Sequence, residues 1–336
     1  MNTAKVFVAI AMMGLVVASC SSDSASDFNP SLVNDQIQFA TSTQPILHTR
    51  AVNNADNLQD KKFLANEPIN VYLTNHSSKA QLLPRKVSDV AGDYYKFTVG
   101  EAYTGAGSTE NSQVLVAPNG YMFQFPGTDD GVDVYAIHPA STGANVDKTT
   151  TTFSVKEDQT ADADYVNSDL ITATAGNKKK AGGTIMLNFA HKLSKVIVKL
   201  QVAPSNTSID LTGAKISING CKTVALTHTF ADATGETTLT LGEASNSGKI
   251  TLGEYDEQNG TAGIFIPQTV NAGTKLIQVE LAGGNTFSYV PAANEVFEPE
   301  KEYTYTLTLK AELLTLVSVE IKDWTKEARE GDAVLD

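Results

Sequence analysis

The chain is short of the residues that usually staple a fold or mark a site. It holds two cysteines, Cys20 and Cys221, in 336 residues. That excludes a disulfide framework and a cysteine-rich metal centre, so stability has to come from apolar cores. There is one tryptophan, Trp324, and only three of the 25 Lys and Arg residues are arginines: Arg50, Arg85 and Arg329. Positive charge is scarce as a whole. The formal net charge is −13, which argues against nucleic acid and against anionic lipid heads as partners. None of the five histidines has a second histidine or a carboxylate at metal-ligand spacing on a helix. There is no Gly-x-Ser-x-Gly, no phosphate-binding loop and no Gly-x-Gly-x-x-Gly after a strand. The carboxylates within 158–169 lack the glycine and the bidentate glutamate of a calcium loop. No catalytic, cofactor-binding or metal-ligating residue is assigned, and nothing supports an enzyme.

Long apolar runs are also missing, with one exception. Residues 6–17 are apolar apart from Gly14, follow Lys5, and precede Ala18, Ser19 and Cys20. The run is too short to span a bilayer and has the layout of a secretory signal peptide. Its end, Val-Ala-Ser-Cys, resembles a bacterial lipobox, in which the cysteine is lipidated. The expectation is a signal peptide over 1–19, then a lipidated Ser/Asp tether over 20–35 that holds the chain on a membrane through Cys20.

What is present is alternation. Short runs with period two are separated by Gly, Asn, Asp and Pro, as in "INVYLTN", "YKFTV", "YMFQF" and "VDVYAIHP". This pattern predicts an all-β chain of sandwich type. At 336 residues the length suits two domains, placed at 36–181 and 182–336. Residues 150–183 are poor in large apolar side chains. They read as a surface segment with one short strand, 169–173, and then a linker. In "IMLNFAHKLSKVIVKL" the inward parity flips between Ala190 and Lys195, so a bulge or break must lie there. His191 beside it reads as a structural hydrogen-bonding residue. Near the C-terminus, Tyr303, Tyr305, Leu307 and Leu309 share one face of a run. Val317, Val319 and Ile321 share a face of the next. A strongly patterned strand this close to a terminus can pair with its own sheet or with another molecule.

The order of these pieces resembles one family. A lipobox is followed by "QIQFA", "TRA", "INVYL", "DVYAIHP", "SDLITA", "LNFAHKLSKVIVKL", a Tyr-Thr-Leu-Thr-Leu run and a final "IKDW". The chain looks like a member of the fimbrillin family of Bacteroidales surface lipoproteins, which holds the FimA-like and Mfa-like pilins. The resemblance implies two transthyretin-like β-sandwich domains in tandem and no cofactor. It implies export to the cell outer membrane, with lipid on Cys20, and a place in a fimbrium that serves adhesion. The partners would be further copies or related fimbrial subunits, with a host or bacterial surface ligand beyond them. It also implies polymerisation by donor-strand exchange. In that scheme a surface protease cuts between Arg50 and Ala51, and a strand formed by Gln36, Ile37, Gln38, Phe39 and Ala40 leaves. The candidate donor comes from Tyr303, Tyr305, Leu307 and Leu309 or from Val317, Val319 and Ile321. An uncut, lipid-anchored binding protein (anchor, tip adhesin or glycan-binding lipoprotein) stays open as the alternative.

Overall fold

In the computed structural model the described residues are 36–43, 63–87, 93–127, 130–140, 150–205, 209–229, 238–254, 260–310 and 313–324. Nearly all the regular structure is strand. In chain order the first strands are β1 (Phe39–Thr43), β2 (Pro68–Asn75), β3 (Arg85–Lys86), β4 (Lys96–Ala102), β5 (Gln113–Val116), β6 (Tyr121–Met122), β7 (Val132–His138) and β8 (Thr150–Ser154). A short helix, α1 (Asp162–Ser168), precedes β9 (Ile171–Lys178) and β10 (Ile185–His191). Seven of these strands close into a ring in the order β1-β10-β9-β7-β2-β4-β5, and β5 returns to β1. Inside the ring Ile69, Val71, Leu73, Phe97, Val99, Val134, Ala136, Leu187 and Phe189 form one apolar core.

The remaining strands are β11 (Ser194–Val202), β12 (Lys215–Thr229), β13 (Thr238–Glu254), β14 (Thr261–Phe265), β15 (Gln268–Val270), β16 (Ile277–Glu280), β17 (Thr286–Tyr289), β18 (Glu295–Phe297), β19 (Lys301–Lys310) and β20 (Leu313–Asp323). They make a sheet β14-β11-β19-β20 and a sheet β13-β12-β16-β17, with β8 added against β12. A second core lies among them. It takes in Val196, Val198, Ile216, Ile218, Ile264, Tyr305 and Leu307.

The two cores share β7. Val134 and Ala136 face the ring interior, while Tyr135 and Ile137 belong to the second core. Every residue of β7 is therefore buried, Asp133 included. Residues Asp35–Asp336 form one compact unit. After an earlier excursion at β8, the chain leaves the ring for the second sheet system at Lys192–Leu193, between β10 and β11, inside the stretch where the inward parity flips. The strand β10 thus lies in the ring although it follows residue 182.

The segment expected to be surface and linker over 150–183 differs from that reading. It carries α1 and the eight-residue β9, which sits between β7 and β10. Asp162 and Asp164 occupy the first helical turn, where they complement the helix dipole, and Tyr165 and Val166 are buried beneath it.

Candidate functional site

Two strands define the site, and they differ in how they are held. The first is β1. It runs parallel to β10, with Phe39 opposite Ile185 and Thr43 opposite Phe189, and antiparallel to β5, with Phe39 opposite Leu115. Just before it, the Ile37 N–H donates to the Phe123 carbonyl at 2.9 Å, and the Ile185 N–H donates to the Gln38 carbonyl at 2.8 Å. Ile37, Phe39, Ala40 and Thr41 are buried, while Gln36 and Gln38 are exposed. Phe39 meets Phe97 edge to face at 5.4 Å. The Gln113 N–H donates to the Thr41 hydroxyl oxygen at 3.2 Å. The alternation of "QIQFA" is that of a strand with one face in a core. What the pattern does not reveal is that this strand closes the ring, because closure depends on both neighbours, β5 and β10.

Where the chain re-enters the described residues, Phe63 is buried against Phe189 at 4.9 Å and accepts a hydrogen bond on its carbonyl from the Gln113 side chain at 3.0 Å. Below it, a buried His138–Glu67 pair is 2.6 Å apart. Both ends of the 44–62 segment are therefore fixed in the same region of the ring. Cys20, Arg50 and Ala51 lie outside the described residues.

The second strand is β20. Among the described residues it pairs only with β19 and is the last strand of its sheet. Tyr303, Tyr305, Leu307 and Leu309 of β19 are buried, and β19 lies between β11 and β20. Removing β19 would dismantle the sheet. By contrast Val319 stands opposite Tyr305 and Ile321 opposite Tyr303, on the core side of the sheet, yet they are 36% and 57% exposed. Val317 is 55% exposed and sits at a register shift that opposes Ser318 to Thr306 and Leu316 to Leu307. The apolar face of this edge strand is left largely uncovered.

The end of β20 is anchored at the crossing between the two cores. Trp324 is buried and stacks on His191 at 3.8 Å with 13° between the rings. His191 in turn bonds Asp169 through Nδ1 at 2.9 Å. The Trp324 N–H donates to the Glu300 carbonyl at 2.9 Å, and Lys301 pairs with Asp323. The indole Nε1 finds no acceptor among the described residues. A buried donor left this way costs about 1–3 kcal/mol, so the seat is well packed but not fully satisfied. The structural role expected of His191 is present, and its aromatic partner Trp324 was not foreseen. The "IKDW" spacing carried a signal for it: Trp324 breaks an otherwise exposed run with a large apolar ring.

A fimbrillin-like family model matches residues 49–324, most of the chain. The chain belongs to the fimbrillin-like family. Among solved structures, one from Bacteroides uniformis, described as a "putative cell adhesion protein", superposes with a TM-score of 0.56 at 20% identity, covering 86% of this chain and 98% of the other. A second so described, from Bacteroides ovatus, gives 0.54 at 17% identity, with 87% and 98% covered. These likenesses show that the fimbrillin-like chain shares its fold with both. No curated protein matches it.

Proposed function

We propose that this chain is a structural subunit of a cell-surface fimbria, made as a lipoprotein precursor on Cys20 and polymerised by donor-strand exchange. Membership of the fimbrillin-like family supports the fimbrial role, and adhesion is the service such a surface filament performs. The observation that carries the polymerisation reading is β1. It is an N-terminal strand that completes a closed ring and buries Phe39, with Ile37 buried just before it. It joins the rest of the chain only through the segment that contains Arg50. Cutting between Arg50 and Ala51 would detach the strand and the lipidated terminus together. The vacated cleft, between β5 and β10, would then expose apolar surface worth roughly 1.5–3 kcal/mol for each large side chain withdrawn.

The donor in this reading is β20 rather than β19. Val317, Val319 and Ile321 repeat at every second residue, as Ile37, Phe39 and Thr41 do in the strand they would replace. The contact is head to tail and does not close, so it propagates as a filament.

The test is the N-terminal sequence of the protein in filaments sheared from cells. A start at Ala51 is the expected outcome, and Arg50→Ala should leave the subunit monomeric and lipid-bound. A start at Cys20 in filaments would refute the exchange.

A further inference from the structure

The geometry points to a binding site for an acidic sugar, one carboxylate on a polyhydroxylated ring, on the outer face of the β13-β12-β16 sheet. A cavity of about 630 Å³ opens there. That is within the usual range for small-ligand sites. Strand alternation builds its floor. Ile216, Ile218, Ile250, Leu252 and Val279 point into the core, so Lys215, Ser217, Lys249, Thr251 and Glu280 point outward. Ser217 is opposite Thr251, and Lys215 is opposite Glu280. The hydroxyls thus lie in the middle and the charges around them.

One wall comes from a separate segment that is rigidly held. Asp158 bridges to Thr251 in parallel. The Gln159 N–H donates to the Thr251 carbonyl at 2.9 Å, and the Thr251 N–H donates to the Glu157 carbonyl at 2.7 Å. Gln159 is fully buried. Its side-chain amide donates to the Ile264 carbonyl at 2.9 Å and accepts from the Ile264 N–H at 2.7 Å. With Gln159 locked inward, Asp158 and Thr160 line the cavity. Asp158 Oδ1 accepts from the Thr160 N–H at 2.9 Å and from its hydroxyl at 2.6 Å, which fixes the carboxylate in place.

The charges are not spent on one another. Lys215 and Glu280 are register neighbours, yet neither they nor Lys249 form an ion pair with any described residue. Two ammonium groups and a carboxylate therefore converge on one cavity with hydrogen-bonding capacity to offer. A bare anion such as phosphate would meet the ammonium groups but also face Glu280 and Asp158. A neutral sugar would offer the ammonium groups hydroxyl acceptors but no anion. A ligand with one anionic group and several hydroxyls meets every side: its carboxylate takes one of the two lysines, and its hydroxyls accept from the other and donate to Glu280 and Asp158. No aromatic ring lines the cavity, so a single site binds weakly.

The experiment is titration of the monomeric full chain with glucuronic acid at constant ionic strength, followed by ligand-observed NMR, with glucose and inorganic phosphate as controls. Binding of glucuronic acid at millimolar concentration is expected, with both controls at least about tenfold weaker. Lys215→Gln and Glu280→Gln should each weaken it by about tenfold, and an unchanged melting temperature would show that the fold survives. Phosphate binding as tightly as glucuronic acid, with Glu280→Gln neutral or favourable, would overturn the proposal in favour of a plain cationic patch. So would the absence of glucuronic acid binding. Neither result touches the strand-exchange reading, which is scored on filaments.

Discussion

Strands β1 and β20 are both apolar, both near an end of the described chain, and opposite in every energetic respect. Five residues of β1 have a neighbour on each side and fill a core. Eleven residues of β20 have a neighbour on one side and leave Val317, Val319 and Ile321 uncovered. Apolar sequence alone therefore does not say whether a strand is needed by its own fold. The ladder partners decide it. A strand that the core requires and that hangs on one connection is removable only at a cost. A strand whose apolar face is idle gives up little core packing, only its single ladder and the Trp324 seat.

The comparison can be broken at four points, taken here from the largest effect down. Phe39→Asp places an unpaired charge in the ring core, and it should lower stability by at least about 4 kcal/mol in urea unfolding. If β1 were dispensable the loss would be small. Trp324→Ala removes the ring that pins the end of β20, for a loss of about 3 kcal/mol. Hydrogen exchange should rise in 313–324 and little elsewhere. Since Trp324 is the only tryptophan, its fluorescence in the parent protein reports the same seat: if β20 is the donor, emission should shift to longer wavelength on polymerisation.

Next comes pH. Burial pushes the pKa of His228 down from 6.5 to about 4. The unfolded chain then binds the extra proton first, so stability is full above about pH 6.5 and falls as pH drops towards 4, by on the order of 2 kcal/mol. Thermal melts of His228→Leu should show a flatter dependence over that window. The smallest effect on the fold is Val319→Asp, within about 0.5 kcal/mol of the parent, because that side chain is already partly solvated. The same substitution should abolish filament growth if β20 is the donor. A stable variant that still polymerises would remove β20 from that role.

Much of this fold could be read from alternation. The inward residues of β2, β4 and β19 follow directly from period two, and the flip across Ala190–Lys195 marks where the chain leaves the ring for the last time. Three features could not be read so. The helix α1 is too short and too acidic to show helical periodicity. The second face of β7 looks like an exposed face, because Tyr135 and Ile137 are buried only by partners from the other core. The cavity over Ser217 and Thr251 depends on a register between strands far apart in sequence. For the candidate site, the strand over Gln36–Ala40 is expected only from the family resemblance, and the burial of Ile37 and Phe39 is what the structure adds. The idleness of Val319 and Ile321 is not legible in the sequence, since exposure is set by what fails to cover them.

The ring contains one parallel pairing, β1 beside β10; its other ladders are antiparallel. That asymmetry gives the slot a direction. A replacement strand that keeps both of β1's ladders can run only one way, so under the proposed exchange each subunit added must point like the one before it. A filament grown through this slot has two unlike ends, an empty cleft at one and an unused strand at the other. Growth and capping at those ends would then be separate events.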